Sequence, residues 1–203
     1  MKKTILVISS AMIVLLSACS KSNDGIQLQS HDQNAMMSIM HQMMDSMSMM
    51  QPTNDPEIDF AMMMKMHHQG AINMANYELA NGSNDSLKRT AQKIINEQMM
   101  EINEFNTFLA SNSLDNSDPS FAMEQMSNMD KMGSVADVQL ITGDVDNDFA
   151  TLMMVHHQSA LDNASAYLHH SNNEMLKMMA MNIIDSQTME IEELSNWLRG
   201  NKR

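Results

Sequence analysis

The sequence predicts an all-α protein: an antiparallel four-helix bundle built from two duplicated helix pairs and preceded by a methionine-rich helix. Residues 55–110 align without gaps with residues 144–199 at a constant offset of 89, with 23 identities in 56 positions. Apolar residues in both segments recur with the period of an α-helix, and no segment shows the alternation of a convincing β-strand. Two copies are too few for a solenoid, so a closed bundle with approximate twofold symmetry is expected.

Residues 1–18 are predicted to be a signal peptide. Two lysines give it a basic start, and the apolar stretch at 5–16 is shorter than the roughly 20 residues that a membrane-spanning helix needs. The segment ends in Leu-Ser-Ala-Cys, which resembles the lipobox of bacterial lipoproteins, and Cys19 is the only cysteine of the chain. We therefore expect Cys19 to be acylated and to anchor the protein to a lipid bilayer of the cell envelope, outside the cytoplasm.

A polar segment at 19–34 is expected to act as a tether between the lipid and the folded domain. A predicted amphipathic helix follows at 35–51 and contains eight methionines. Five of them share one stripe of a helical wheel: Met36, Met40, Met43, Met47 and Met50.

The two copies of the repeat span 54–112 and 143–203, and each is expected to form two helices. Acidic residues open the first helix of each copy, where they suit helix caps and the positive end of the helix dipole. A loop-rich connection at 113–142 joins the copies. This connection contributes a second group of methionines: Met123, Met126, Met129 and Met132.

The composition restricts the classes of ligand. The chain of 203 residues contains 28 methionines and 8 histidines and has a formal charge of −13. This acidic balance argues against nucleic acid as a partner, because nucleic acid requires clustered lysine and arginine, and it favours attraction of cations. Thioether sulfur is a soft ligand that selects Cu(I), whereas iron, manganese and magnesium prefer oxygen.

In each copy a pair of adjacent histidines follows a methionine by one helical turn. The motif Met-x-x-His-His occurs at 64–68 and again at 153–157, on the helix face that the apolar pattern directs inward. Di-iron sites in bundles have a glutamate three residues before a histidine, and here a thioether takes that position. Sulfur together with imidazole favours Cu(I), with Cu(II) and Ag(I) as further cargo. The predicted metal ligands are Met64, His67, His68, Met153, His156 and His157.

Polar residues on the second helix of each copy are expected to face these histidines and to orient their imidazole rings. They are Gln98, Glu101, Gln187 and Glu190. Weaker metal sites are predicted at a further group of residues: Met37, Met40, His41, Met44, Met100 and Met189. Because imidazole binds a metal only when it is neutral, the histidine contribution to copper binding is expected to fall below about pH 6.

The segments DFAMMMKMHHQGAINMA and GDVDNDFATLMMVHHQSALDNA resemble the bacterial family catalogued as domain of unknown function 305. The resemblance covers both copies of the repeat. It implies a ferritin-like helical bundle, and it implies an exported copper-binding protein linked to copper resistance, with the methionines and histidines of the two motifs as ligands. The second copy departs from the first by having Ser159 in place of Gly70 and Asn163 in place of Met74.

We therefore expect a non-enzymatic lipoprotein that sequesters copper or hands it to a copper-transfer protein. Two other classes stay open on the sequence. One is a ferritin-like redox metalloprotein, which the absence of a Glu-x-x-His motif disfavours. The other is a structural or interaction lipoprotein whose methionine-rich surfaces bind partner helices.

Overall fold

The computed structural model describes residues 27–171 and 173–201, so the predicted signal peptide, Cys19 and the first part of the tether lie outside the described residues. Within those ranges the chain forms a turn of 3-10 helix at His31–Gln33, six α-helices and no β-strand. The α-helices are α1 (Ala35–Ser48), α2 (Pro56–Asn81), α3 (Asp85–Ser111), α4 (Pro119–Asp137), α5 (Val145–His170) and α6 (Glu174–Gly200). None of these helices is long and apolar enough to cross a membrane.

Every one of these helices begins after a residue whose side-chain oxygen accepts a hydrogen bond from a backbone N–H of the first turn. Such caps satisfy amides that have no partner inside the helix. The caps of the two copies correspond at the offset of 89, because Asp55 and Asp144 open α2 and α5 while Asn84 and Asn173 open α3 and α6.

Helices α2 and α5 pack against each other in the middle of the bundle, with α3 covering α2 and α6 covering α5. The two central helices are antiparallel: Glu57 near the start of α2 accepts a hydrogen bond from Ser171 after the end of α5. In the same way, Asp146 near the start of α5 accepts hydrogen bonds from Ser83, after the end of α2. The predicted all-α helical bundle is confirmed.

The structure extends the duplication to three helices per copy, which sequence reasoning missed. The connection expected to be loop-rich contains α4, and α4 packs on α5 as α1 packs on α2. The offset of 89 also relates α1 to residues 124–137, where three methionine pairs match: Met37 with Met126, Met40 with Met129, and Met43 with Met132. Serine, aspartate and a glycine weaken the helical pattern of α4, so its periodicity alone does not reveal the helix.

Two buried aspartates hold the segments that precede α2 and α5 in the same way. Asp59 accepts hydrogen bonds from the backbone N–H groups of Thr53 and Asn54 and from the Thr53 hydroxyl. The same three contacts recur 89 residues later, around Asp148. Asn54 and Gly143 both have a positive φ, of 66° and 78°, so the carboxylate fixes a left-handed turn in each copy.

Replacing Asp59 with Asn is expected to destabilise the protein by about 1–3 kcal/mol, because an amide NH₂ then faces backbone donors that need an acceptor. Urea unfolding followed by circular dichroism measures the change. The matched control is Asp45→Asn at an exposed position of α1, which should change stability by less than about 0.5 kcal/mol. Equal unfolding midpoints for the two variants would contradict the role given to Asp59.

Candidate metal centre

The first histidine of each motif lies where α2 and α5 cross. The rings of His67 and His156 stack with a centroid separation of 3.7 Å and an interplanar angle of 35°. Both side chains are fully buried, at 0% exposure. The offset of 89 relates these two residues, so the approximate twofold axis of the protein runs between their rings.

The hydrogen bonds of this pair define which nitrogens are free. His156 Nε2 donates to the backbone carbonyl of His67 at 3.0 Å, because a carbonyl oxygen only accepts. The Nδ1 atom of His156 therefore carries a lone pair, and it has no hydrogen-bond partner among the residues that the structure describes. Neither ring nitrogen of His67 has a partner among them. Each ring thus presents one buried lone pair that the described part of the chain does not use.

Burial holds these two imidazoles in the neutral form. Loss of hydration lowers the pKa of His67 well below 6.5, and the neighbouring rings of His68 and His157 lower it further. Burial likewise lowers the pKa of His156. Neutral imidazole is the form that binds a metal. His67 and His156 therefore become protonated only at a pH below the ordinary imidazole pKa of 6.5.

The second histidine of each motif faces a glutamate on the covering helix, as predicted. His68 Nε2 lies 2.6 Å from Glu101 Oε2, and His157 Nε2 lies 2.9 Å from Glu190 Oε2. In both pairs the carboxylate oxygen lies off the direction in which a ring N–H would point. These are therefore close polar contacts rather than aligned hydrogen bonds. The Nδ1 atoms of both histidines are buried, and neither has a partner within residues 27–171 and 173–201. The ring of His68 stands 6.4 Å from that of His67, measured between centroids.

The glutamate of the second copy is the more strongly anchored of the two. Burial by itself would raise the pKa of Glu190, but the contact with His157 and the charge of Lys93 outweigh it and hold the pKa below the ordinary value. Lys93 reaches Glu190 from α3, with Nζ 3.5 Å from Oε1. The residue 89 positions after Lys93 is Asn182, so Glu101 has no equivalent lysine. Sequence reasoning missed Lys93, because its contact depends on how α3 and α6 meet.

The other predicted residues of the centre are buried on the inward faces of their helices. Met64 and Met153 have 0% exposure. Gln98 and Gln187 are buried, and in the described part of the chain no atom of either amide group has a hydrogen-bond partner. Within residues 27–171 and 173–201, no three histidine, cysteine, aspartate or glutamate side chains come together in a way that suits a metal ion. A copper site at this centre therefore needs sulfur or amide ligands beside the imidazoles.

The residues predicted as weaker ligands do not join this centre. Met37 and Met40 are buried in the apolar core. His41 faces Asp137 at the end of α4, with Nε2 2.9 Å from Oδ1. Met100 and Met189 are each 60% exposed. Met44 is half-buried and lines a cavity between α1, α2 and α4.

The fold and the centre together define a duplicated helical-bundle protein with buried imidazole and thioether groups on its two central helices and buried amide groups on the helices that cover them. The chain belongs to the family described as domain of unknown function (DUF305), whose model matches residues 10–109 and 57–198. A search of curated proteins finds no significant match.

Solved structures of similar fold contain metal. CopM in the Ag-bound form, obtained by soaking, is 27% identical, with a TM-score of 0.56, and the match covers 76% of this chain and 100% of that one. CopM in the Cu(I)-bound form is 25% identical with a TM-score of 0.54, covering 72% and 98% of the two chains. CopM in the Cu(II)-bound form is 28% identical with a TM-score of 0.56, covering 71% and 96%.

Replacing His67 with Leu is expected to stabilise the metal-free protein by about 1–3 kcal/mol, because it removes buried polar atoms that have no partner. The variant should also lose less stability on acidification. His67 resists protonation in the folded state while the unfolded chain titrates near 6.5, so stability falls as the pH drops below that value.

Urea unfolding between about pH 7.5 and about pH 5 measures both effects. His41→Gln is the control, since the partly exposed His41 should contribute less than about 1 kcal/mol. A His67→Leu variant that is less stable than the unsubstituted chain at pH 7.5 would show that the ring serves packing.

Proposed function

We propose that this protein binds copper through the methionines and histidines of α2 and α5, and that it sequesters the ion or hands it on. The observation that carries the proposal is the stacked pair His67 and His156, fully buried with unused ring nitrogens. Buried polar atoms without partners are costly, and a core that served packing alone would not retain them. A bound ion provides these lone pairs with a partner.

The chemistry of the donors favours Cu(I). Neutral imidazole accepts Cu(I) and Cu(II), and the thioethers of Met64 and Met153 add the preference for a soft ion. The CopM structures with Cu(I), Cu(II) or silver bound support the same range of cargo for a chain of this fold. We propose Cu(I) as the main cargo, with Cu(II) and Ag(I) as further ions.

The glutamates of α3 and α6 are proposed to position the outer histidines. A carboxylate beside Nε2 of His68 or His157 favours the tautomer with hydrogen on that nitrogen, and leaves the lone pair on Nδ1. The carboxylates also provide negative charge close to the centre, which offsets the charge of an entering cation. Glu101 and Glu190 therefore act on the metal through the histidines they contact.

We propose that the protein acts without turnover and outside the cytoplasm. Each motif has a methionine where a ferritin-like di-iron centre has a glutamate, which favours holding a soft ion over oxygen chemistry. The lipobox-like end of the predicted signal peptide supports anchoring through Cys19, and a copper-transfer protein is the partner we propose for release of the ion.

Replacing both inner histidines with Leu is expected to weaken Cu(I) binding by more than about 100-fold, because loss of a direct ligand exceeds the 10–100-fold effect of losing an outer partner. An anaerobic Cu(I) titration of the full chain against a competing chelator measures the affinity. Leucine keeps the volume of the core, and urea unfolding checks that the double variant His67→Leu/His156→Leu is folded.

The matched control is His169→Ala, since His169 is exposed and bonds only to the backbone of its own helix, at Ser165. This control should bind Cu(I) as the unsubstituted chain does. If the unsubstituted chain, the control and the double variant all bind their tightest Cu(I) ion with the same affinity, the site at the two inner histidines is contradicted.

A further inference from the structure

A cavity lined by thioethers lies where α1, α2 and α4 meet. Its volume is about 120 Å³, several times the roughly 30 Å³ that a water molecule occupies in the liquid. Six of its lining residues are methionines: Met44, Met47, Met50, Met63, Met126 and Met129. Sequence reasoning treated the methionines of α1 and of the connection as separate groups, and only the packing of α4 brings them together.

The exposure of these methionines is graded from the mouth of the cavity to its floor. Met126 is 56% exposed and opens to solvent, while Met44 and Met50 are half-buried. Met47 is nearly buried, and Met63 at the floor is 1% exposed. An ion therefore meets sulfur at the surface and further sulfur as it moves inward.

From this arrangement we propose that the cavity is a second metal site, specific for a soft monovalent ion, Cu(I) or Ag(I). Its sulfur ligands are neutral, and histidine is absent from its lining. Hard cations and Zn²⁺ require several oxygen, nitrogen or thiolate ligands, whereas six thioethers dominate this lining, so the cavity favours a soft ion over them. Asp130 also lines the cavity and provides one negative charge for the cation. The inference rests on the proposed function for the identity of the cargo, while its ligands are separate from the histidine centre.

The twofold-related side of the protein shows that packing does not require this sulfur. At the offset of 89, Met44, Met47, Met50 and Met63 correspond to Gly133, Ala136, Gln139 and Leu152. At these four places the second copy therefore uses small, polar or aliphatic residues. The other two lining methionines, Met126 and Met129, correspond to Met37 and Met40, so four of the six thioethers are specific to one side of the molecule.

Residues of α5 hold one of these thioethers in place. Asn163 Nδ2 and Ser159 Oγ donate to the sulfur of Met129, at 3.4 and 3.7 Å. These are the two positions at which the second copy departs from the Gly70 and Met74 of the first. Both donors orient this sulfur at the cavity wall, and an ion that binds Met129 replaces at least one of these two contacts. Because methionine is otherwise flexible, this orientation lowers the entropy lost when the ion binds.

The test uses the full chain with His67→Leu and His156→Leu, which removes the two inner imidazoles of the centre. Cu(I) is titrated anaerobically against a competing chelator, and X-ray absorption at the copper K-edge identifies the ligand atoms. We expect about one Cu(I) per chain, bound by sulfur alone. Adding Met47→Leu, Met63→Leu and Met129→Leu should weaken this binding by at least about tenfold, since three ligands are lost.

The control variant carries Met36→Leu, Met74→Leu and Met179→Leu instead, three buried methionines outside the cavity. Exchange of Met for Leu keeps volume, so both triple variants should fold. Three results would overturn the proposal. The double histidine variant does not bind Cu(I), its bound copper has nitrogen among the ligand atoms, or its binding is unchanged by the cavity substitutions. If the double variant binds as much copper as the unsubstituted chain and the cavity substitutions abolish it, the cavity proposal stands and the histidine centre falls.

A second measurement needs no substitution. With ¹³C-methyl-labelled methionine, adding Ag(I) to the full chain should shift the methyl resonances of Met47, Met63 and Met129. The resonances of Met36 and Met179 should stay in place. Cavity methyl groups that do not respond to Ag(I) overturn the proposal even if a triple variant fails to fold.

Discussion

Burial of four imidazole rings on two antiparallel helices is the constraint on which the rest of this structure depends. Ring nitrogens and amide groups without partners at the centre each cost about 1–3 kcal/mol. Fully buried alanines on the same stripes, such as Ala71 and Ala160, leave room for α2 and α5 to approach until the inner rings stack. Helix caps, two aspartate-bound turns and a core of methionine, alanine and phenylalanine offset that cost. Where a protein departs from the usual rule that buried polar groups have partners, the departure commonly marks a functional site.

The duplication preserved the scaffold and allowed the chemistry to diverge. Caps, left-handed turns and the contact between the outer histidine and a glutamate recur at the offset of 89. The two copies differ at residues whose side chains contact polar groups or sulfur atoms. His156 donates to the carbonyl of His67, Lys93 pairs with Glu190 while Glu101 has no lysine at the equivalent position, and the thioether cavity lies where α1, α2 and α4 meet. The two halves are therefore equivalent in packing and unequal in the ligands they present.

The sequence predicts the four long helices well, because 23 identities and a strong apolar period in both copies indicate the same structure twice. It also predicts that the histidines face inward and that Glu101 and Glu190 face them. It does not predict α4, whose stripe is weakened by serine, aspartate and Gly133. The stacking of His67 on His156 depends on the register of α5 against α2, which a one-dimensional pattern does not contain. The cavity is missed for the same reason, since its methionines come from three helices.

Copper binding between the two inner histidines is tested most directly by crystals of the full chain grown anaerobically with Cu(I), with diffraction measured on both sides of the copper absorption edge. We expect an anomalous peak within bonding distance of nitrogen atoms of His67 and His156 and of a sulfur of Met64 or Met153. Peaks confined to the methionines of α1 and α4 or to the protein surface, with the stacked rings unchanged, would contradict it.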